Sequence, residues 1–309
     1  MPTNVPDSVD NWWCSTQDEQ AWLGFSYDVS WCPSSAQLTK SFKRMRSEYN
    51  ARYVRMYGTC DNDGFTDQLI NAGWEAGLGI YPLIWFGFDG DNKWQTRRDN
   101  IIKAIKSNSK APYVVRGVVV GSEPMFDSVM SPDDLAAQIY NVKNQLAPWT
   151  NKGDDGMQIT LSEMPYGYQI RNNAPQVFKA QDTLMAHSLP FFDWTVGDAG
   201  SDSTAGKVQN DLNYMVKNGL GKKIIISQTG WPSNADIWKP NSAKAVASLQ
   251  QEKAYFDMLD NLACSWMAKN GPKGGIAWFS HMYADTLSGW GVLDTNWKAK
   301  FDFKPKTSC

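Results

Sequence analysis

The sequence predicts an α/β protein built as a single (β/α)8 TIM barrel. Eight short apolar or β-branched segments alternate with stretches of helical spacing along the 309 residues. A doubly wound open sheet is the alternative, but the turn after the first strand, Gly24 to Asp28, lacks dinucleotide-binding glycine spacing. We therefore expect one domain over residues 1–309, with residues 1–21 as an N-terminal extension.

The strands are predicted from short runs of apolar and β-branched residues bounded by polar or glycine-rich segments. In chain order they are Trp22–Tyr27, Arg52–Tyr57, Gly79–Trp85, Val114–Val120, Met157–Ser162, Leu184–Phe192, Lys223–Ser227 and Gly275–Ser280. Their number and their alternation with helical segments are what favour a closed parallel barrel.

The helices are predicted from apolar residues that recur every three or four positions. The clearest segments are Leu38 to Tyr49, Leu135 to Leu146, Val208 to Met215 and Leu249 to Leu262. Ser131-Pro132 supplies a capping residue and a first-turn proline to the second of them. The polar tail after Asp294 predicts a weak or short final helix.

Composition excludes several function classes. Lys and Arg total 30 against 32 Asp and Glu, without long runs of one sign, which disfavours a nucleic-acid partner. No apolar stretch approaches the ~20 residues of a membrane span. The chain has two histidines, His187 and His281, for which we expect hydrogen-bonding roles rather than a metal site. No phosphate-binding loop occurs, so we expect no cofactor, and we expect a monomer.

The five cysteines indicate an oxidised protein with two disulfides and one free thiol. They are Cys14, Cys32, Cys60, Cys264 and Cys309, and 15 pairing arrangements remain open. We expect a secreted, extracellular chain. Residues 1–10 lack the basic and apolar segments of a signal peptide, so none is expected within this sequence.

Aromatic residues point to the kind of ligand. The chain has 15 Trp, 12 Tyr and 13 Phe, which is more flat surface than a core needs. Tryptophan faces that line a groove would match the flat C–H faces of sugar rings. For any single Trp, a position in the hydrophobic core is an equally good explanation.

Two glutamates are the candidate catalytic groups. Glu123 and Glu163 fall at the ends of the fourth and fifth predicted strands, where barrel enzymes place their active sites. Apolar neighbours can raise a carboxyl pKa into the range of a general acid, and glycoside cleavage normally uses two carboxyl groups. The alternative is that both are solvated loop residues.

Several motifs resemble those of glycoside hydrolase family 17, the β-1,3-glucanases and glucanosyltransferases. The run Ile224–Ser233 is similar to the family signature Glu-Thr-Gly-Trp-Pro-Ser, with Gln228 where the signature has its nucleophilic Glu. Val120–Glu123 is similar to the acid/base motif, with Ser122 where Asn is usual. Further matches are Val54–Gly58, Pro190–Phe192 and Trp290–Asp294.

The resemblance implies a retaining mechanism on β-1,3-glucan, with Glu123 as acid/base and residue 228 as nucleophile ~5–5.5 Å away. A carboxamide is a poor, neutral nucleophile. Gln228 is therefore an engineered Glu→Gln change, a natural residue in an enzyme that uses another carboxylate, or a mark of a silent glucan-binding protein. For the second reading the candidate is Glu163, in an inverting reaction, and its alternative role is to support Glu123.

Position near the strand ends also predicts substrate contacts. The residues placed to stack on sugar rings or bind hydroxyls are Tyr57, Phe192, Trp194, Trp231, Trp278 and Phe279. Ser122 replaces the Asn expected at the 2-hydroxyl of the reacting sugar. Trp12 and Trp13, ahead of the first strand, are candidate groove walls or a lid. The implied partner is a fungal-wall-like β-glucan, and the implied setting is extracellular, at the cell wall.

Overall fold

The computed structural model describes residues 2–87 and 92–309. Within them nine parallel strands form one sheet in the order β3-β2-β1-β9-β8-β7-β6-β5-β4. The strands are β1 (Ala21–Asp28), β2 (Tyr53–Tyr57), β3 (Gly79–Tyr81), β4 (Leu83–Ile84), β5 (Gly117–Ser122), β6 (Gln158–Glu163), β7 (Leu184–His187), β8 (Ile224–Thr229) and β9 (Ile276–Ser280). The predicted (β/α)8 barrel is confirmed.

Pro82 divides the third strand position of the barrel into two short strands, β3 and β4. β3 pairs with β2, and β4 pairs with β5, so the two pieces together bridge their neighbours. Pro82 has no N–H to donate, but its carbonyl accepts from Val119 N at 2.9 Å, and Ile80 O accepts from Arg116 N at 3.0 Å. These bonds close the barrel. Because β3 and β4 together occupy one position, the nine strands form an eight-membered barrel.

Helices connect successive strand positions of the barrel. In the described residues they are α1 (Ser35–Tyr49), α2 (Phe65–Ala76), α3 (Trp94–Ser107), α4 (Ala111–Val114), α5 (Pro132–Gln145), α6 (Ala147–Thr150), α7 (Pro165–Gln169), α8 (Pro175–Ala180), α9 (Asp202–Asn218), α10 (Leu249–Leu262) and α11 (Ala268–Asn270). All four predicted helices are present, and Ser131 caps α5 as expected. None of the described helices has the length and apolar character needed to cross a membrane.

Prolines account for the two strand predictions that were too long. Ala111–Val114 forms a short helix with Pro112 in its first turn, so β5 begins only at Gly117. Strand β7 ends at His187, and Pro190–Phe192 forms a 3-10 turn. Each proline begins a helical turn, for which its fixed φ is suited, and the chain is therefore not extended at either place.

The N-terminal segment closes the bottom of the barrel. Glu19 and Arg116 are buried there, with the Arg116 Nε–Glu19 Oε1 distance 2.7 Å. Trp12 and Trp13 donate their indole N–H groups to the carbonyls of Tyr113 and Pro112, before the start of β5. The expectation that these two tryptophans wall or cover the groove is therefore wrong, because the active-site end of a barrel is the opposite one.

Two disulfides join sequence-distant segments, as predicted. Cys32 pairs with Cys60 after the first two strands, and Cys264 pairs with Cys309 at the end of the chain. Cys14 is free and exposed.

Candidate active site

An open cleft of about 930 Å³ lies at the carboxyl ends of the strands. Glu123 follows β5, His187 ends β7 and Gln228 lies in β8, and all three side chains reach this cleft. The lining residues discussed below are Tyr57, Glu123, Phe126, Tyr166, His187, Phe192, Asp193, Trp194, Lys207, Asp211, Gln228, Trp238, His281 and Trp290.

Glu123 is held by a backbone bond and by a buried imidazole. Its backbone is left-handed, with φ 57°, and its N–H donates to Ser162 O at 2.8 Å. Its Oε1 lies 2.5 Å from His187 Nδ1. Burial opposes ionisation, but His187 and Arg55 together hold the pKa of the Glu123 carboxyl below its ordinary value. The group is therefore ionised near neutral pH in the unliganded chain.

Gln228 is fixed by a buried arginine. Arg55 on β2 donates from Nη1 to Gln228 Oε1 at 3.2 Å and from Nη2 to Ser122 Oγ at 3.2 Å. Burial lowers the pKa of the Arg55 guanidinium to about 10, which leaves it charged at neutral pH. A carboxylate at position 228 would form a charge-assisted pair with this guanidinium, whereas the amide supplies only a neutral acceptor.

Glu163 is buried behind the loop that follows Glu123. Its Oε2 accepts from the N–H groups of Met125 and Phe126 at 2.8 and 3.3 Å, and its Oε1 accepts from Met164 N at 2.9 Å. Burial, reinforced by the charge of Glu123, raises the pKa of Glu163 to about 8. Its carboxyl does not line the cleft described above.

Three of the predicted sugar contacts are wrong. Trp231, Trp278 and Phe279 are each fully buried. Trp278 packs on Trp22 and Phe256, whereas its strand neighbour Phe279 packs on Tyr81. Both faces of a barrel strand are covered, one by helices and the other by the barrel interior, so adjacent aromatics on β9 are both core residues.

Three other predicted contacts do line the cleft. Tyr57, Phe192 and Trp194 are among its walls, and Trp194 is 76% exposed. Ser122 is half-buried, accepts its hydrogen bond from Arg55 and is not part of the cleft wall.

Several cleft residues were not predicted from the sequence. Phe126, Tyr166, Trp238 and Trp290 add aromatic surface, and Phe126 and Tyr166 pack edge to face with ring centroids 6.2 Å apart. Trp290 lies in a motif used for the family resemblance, which could have identified it. Trp238 lies in the long segment between β8 and α10, where no local periodicity marks a residue as facing the cleft.

One part of the cleft wall is formed by charged side chains. Lys207 on α9 bonds Asp211, and its Nζ lies 3.9 Å from Asp193 Oδ2. Asp211 also accepts from Ser188 Oγ at 2.8 Å. Within the described residues no three His, Cys, Asp or Glu side chains converge in a way that could hold a metal ion.

Comparison with known proteins connects this geometry to a family. A family model described as BtgE/BtgC glycoside hydrolase domain matches residues 23–297. A relative from Aspergillus terreus (strain NIH 2624 / FGSC A1156), described as probable glucan endo-1,3-beta-glucosidase btgC, is 22% identical over 272 residues, covering 87% of this chain and 40% of that protein. The chain thus spans about two fifths of the length of that curated relative.

Solved structures share the barrel. The glycoside hydrolase family 17 β-1,3-glucanosyltransferase of Rhizomucor miehei superposes with a TM-score of 0.71 at 22% identity, covering 92% of this chain and 98% of that one. An endo-laminarinase from Formosa Hel1_33_131 gives a TM-score of 0.65 at 15% identity, covering 94% of this chain and 85% of that one. At these identities the likeness establishes the fold alone, while the match to the family model confirms the resemblance seen in the motifs.

Proposed function

Because the chain belongs to the BtgE/BtgC glycoside hydrolase domain family, we propose that its cleft binds β-1,3-glucan as a retaining hydrolase or glucanosyltransferase site. The observation that carries the proposal is that Glu123 and position 228 line one open, aromatic-walled cleft at the carboxyl ends of the strands. The names of the Aspergillus terreus and Rhizomucor miehei proteins, which specify 1,3-β-glucan chemistry, support this substrate class.

Each group has a defined task in this reaction. Glu123 gives a proton to the leaving glycosidic oxygen while residue 228 attacks the anomeric carbon, forming a covalent glycosyl intermediate. Glu123 then takes a proton from water, giving hydrolysis, or from a sugar hydroxyl, giving transfer. Tyr57, Phe192 and Trp194 offer ring faces and a hydroxyl to the glucan chain.

Gln228 limits this chain to a slow form of the reaction. An amide is neutral and a poor nucleophile, and it supplies no negative charge to an oxocarbenium-like transition state. We assign Glu163 no replacement role, since its oxygens already accept three backbone N–H groups. This placement supports the structural role for Glu163 over the inverting reaction.

A catalytically silent glucan-binding protein is the second candidate. It is favoured by one observation, namely that Gln228 occupies the nucleophile position with its amide oxygen already engaged by Arg55. Such a protein would keep the aromatic cleft and lose only turnover.

The Gln228→Glu variant separates the two candidates. We expect it to release reducing ends from laminarin at a rate at least about a thousandfold above the unaltered chain. Glu123→Gln in the Gln228→Glu background is the matched control and should abolish the gain. Binding of laminarihexaose by both forms without turnover in either would establish the silent protein, and absence of binding would contradict the proposal altogether.

The setting and assembly of the protein are part of the proposal. Two disulfides are typical of proteins in an oxidising compartment, which supports an extracellular location, with the cell wall as the source of substrate. We propose that the chain acts as a monomer, since one barrel supplies both Glu123 and Gln228.

A further inference from the structure

His187 is a buried imidazole that contacts the acid/base carboxyl directly. It ends β7, is 1% exposed, and its Nδ1 lies 2.5 Å from Glu123 Oε1. Its other ring nitrogen, Nε2, is buried and has no hydrogen-bond partner among residues 2–87 and 92–309. In the sheet His187 is the register partner of Gln228, so the strand residue that contacts Glu123 is also the neighbour of position 228.

The surroundings of His187 favour a neutral ring. Burial lowers the pKa of His187 despite the nearby Glu123 carboxylate. Arg55 from β2 also disfavours a positive charge on the ring, and burial holds the pKa of His281, after β9, well below its ordinary value, so that His281 is neutral as well. Neighbouring strand β8 contributes the neutral Gln228, and β6 contributes Glu163. The other titratable groups nearby, Tyr57 and Asp127, interact electrostatically with Glu123.

A neutral ring next to an ionised carboxylate has one suitable tautomer. The carboxylate can only accept, so Nδ1 must carry the hydrogen and Nε2 must be bare. That assignment also fits the absence of an acceptor near Nε2 in the described residues.

We propose that His187 is the positioning residue of the acid/base: its Nδ1–H permanently occupies Glu123 Oε1, so that Oε2 is the oxygen that exchanges protons with the sugar. Glu123 reacts from its protonated form, in which Oε2 has taken up one proton from solvent while Oε1 still accepts from His187 Nδ1–H. In the first step this proton on Oε2 moves to the leaving glycosidic oxygen. In the second step Oε2 takes one proton from water or from the acceptor hydroxyl. The proton on His187 Nδ1 is not transferred in either step, so the cycle balances on Glu123 alone. This inference rests on the proposed function.

The pH dependence of turnover tests the inference in the Gln228→Glu background. The basic limb of kcat/KM reports the pKa of the general acid in the free enzyme. His187→Phe removes the donor, and we expect that limb to move up by about one pH unit while kcat falls roughly 10- to 100-fold. His187→Asn keeps an amide N–H near the position of Nδ1, and we expect its limb to stay near that of the parent. Equal limbs in all three proteins, each folded by circular dichroism, would overturn the assignment.

A second measurement needs no activity. The unaltered chain has only two histidines, so ¹⁵N spectra of its imidazoles contain few signals, and His281→Asn assigns them. We expect His187 to show a protonated Nδ1 and a bare Nε2 from about pH 6 to 8. A protonated Nε2 in that range would refute the proposal. If the Gln228→Glu chain is inactive, the proposed function fails while this spectrum still decides the hydrogen bond.

Discussion

Glu123 holds a backbone conformation that residues with a Cβ adopt at a cost of about 1–3 kcal/mol. Its φ is 57°, and the turn that follows it is held by Glu163, which accepts the N–H groups of Met125 and Phe126. The carboxyl group of Glu163 therefore stabilises the local backbone from which the acid/base side chain projects. This gives a physical reason for a second glutamate so close to the site.

Glu163→Gln distinguishes this role from a nucleophilic one. The amide keeps one acceptor oxygen but turns an NH2 toward the Met164 N–H, and leaving that buried donor unpaired should cost about 1–3 kcal/mol of unfolding free energy. In the Gln228→Glu background we expect activity to fall by no more than about tenfold. A loss above roughly a thousandfold in a protein that remains folded would instead identify Glu163 as a reacting group.

Trp194 and Trp278 have opposite surroundings and should respond to truncation in opposite ways. Trp194 is 76% exposed on the cleft, so Trp194→Ala should weaken laminarihexaose binding about tenfold and leave the melting temperature unchanged. Trp278 is fully buried, so Trp278→Ala should lower the unfolding free energy by about 3–5 kcal/mol. Calorimetric titration and thermal unfolding of both variants check this. Unchanged binding by the Trp194 variant would remove that residue from the substrate path.

These two tryptophans show which part of the site the sequence could predict. Motif position and strand ends correctly brought Glu123 and Gln228 to one cleft. Whether an aromatic faces the cleft depends on side-chain direction and on the helices that cover each strand, which Trp278 and Phe279 illustrate. His187 was recognised only as a hydrogen-bonding residue, because its partner is 64 positions away in the chain.

At the scale of the elements, the C-terminal segment has no helix of its own and depends on attachment. Phe303 packs into the core, and Lys306 O accepts from Trp22 N at 3.0 Å at the start of β1. Lys300 Nζ lies 2.7 Å from the buried Glu252 on α10. The Cys264–Cys309 disulfide fastens the end of this segment to the turn after α10.

Removing this disulfide should therefore destabilise the barrel. It closes a sequence separation of 45 residues, and we expect Cys264→Ser with Cys309→Ser to lower the unfolding free energy by about 2–4 kcal/mol in urea titrations. Cys14→Ser is the matched control, since Cys14 is free and exposed and should have no effect. Equal stability of the two proteins would mean that the noncovalent contacts of the segment suffice.

Element boundaries were predictable except where proline or tertiary pairing intervened. The periodicity of α1, α5, α9 and α10 was sufficient because each buries one apolar face. The break at Pro82 could not be predicted from local pattern. The two resulting strands, β3 and β4, take the place of one barrel strand only because each pairs with a different neighbour in the closed barrel.

At the scale of the whole molecule, the barrel separates function at its top from closure at its bottom. Arg116 is fully buried at the bottom, where it donates to Glu19 Oε1, to Gly156 O at 2.6 Å and to Asp154 O at 3.0 Å. Tyr53 Oη donates to the same Glu19 oxygen at 2.7 Å. This network ties the N-terminal segment to β2 and β5, so the segment predicted as an extension takes part in closing the barrel.

Removing one charge of the Glu19–Arg116 ion pair should lower the unfolding free energy far more than replacing both residues by apolar ones. Glu19→Gln leaves the Arg116 cation buried without a counter-charge, and we expect a loss of about 3–5 kcal/mol in unfolding free energy at 25 °C. Glu19→Met with Arg116→Met removes both charges and should be less destabilising than the sum of its single changes. Because the pair lies at the end of the barrel opposite to the cleft, laminarihexaose affinity of the folded Glu19→Gln protein should equal that of the unaltered chain. A folded variant with weakened binding would show that the two ends of the barrel are energetically coupled.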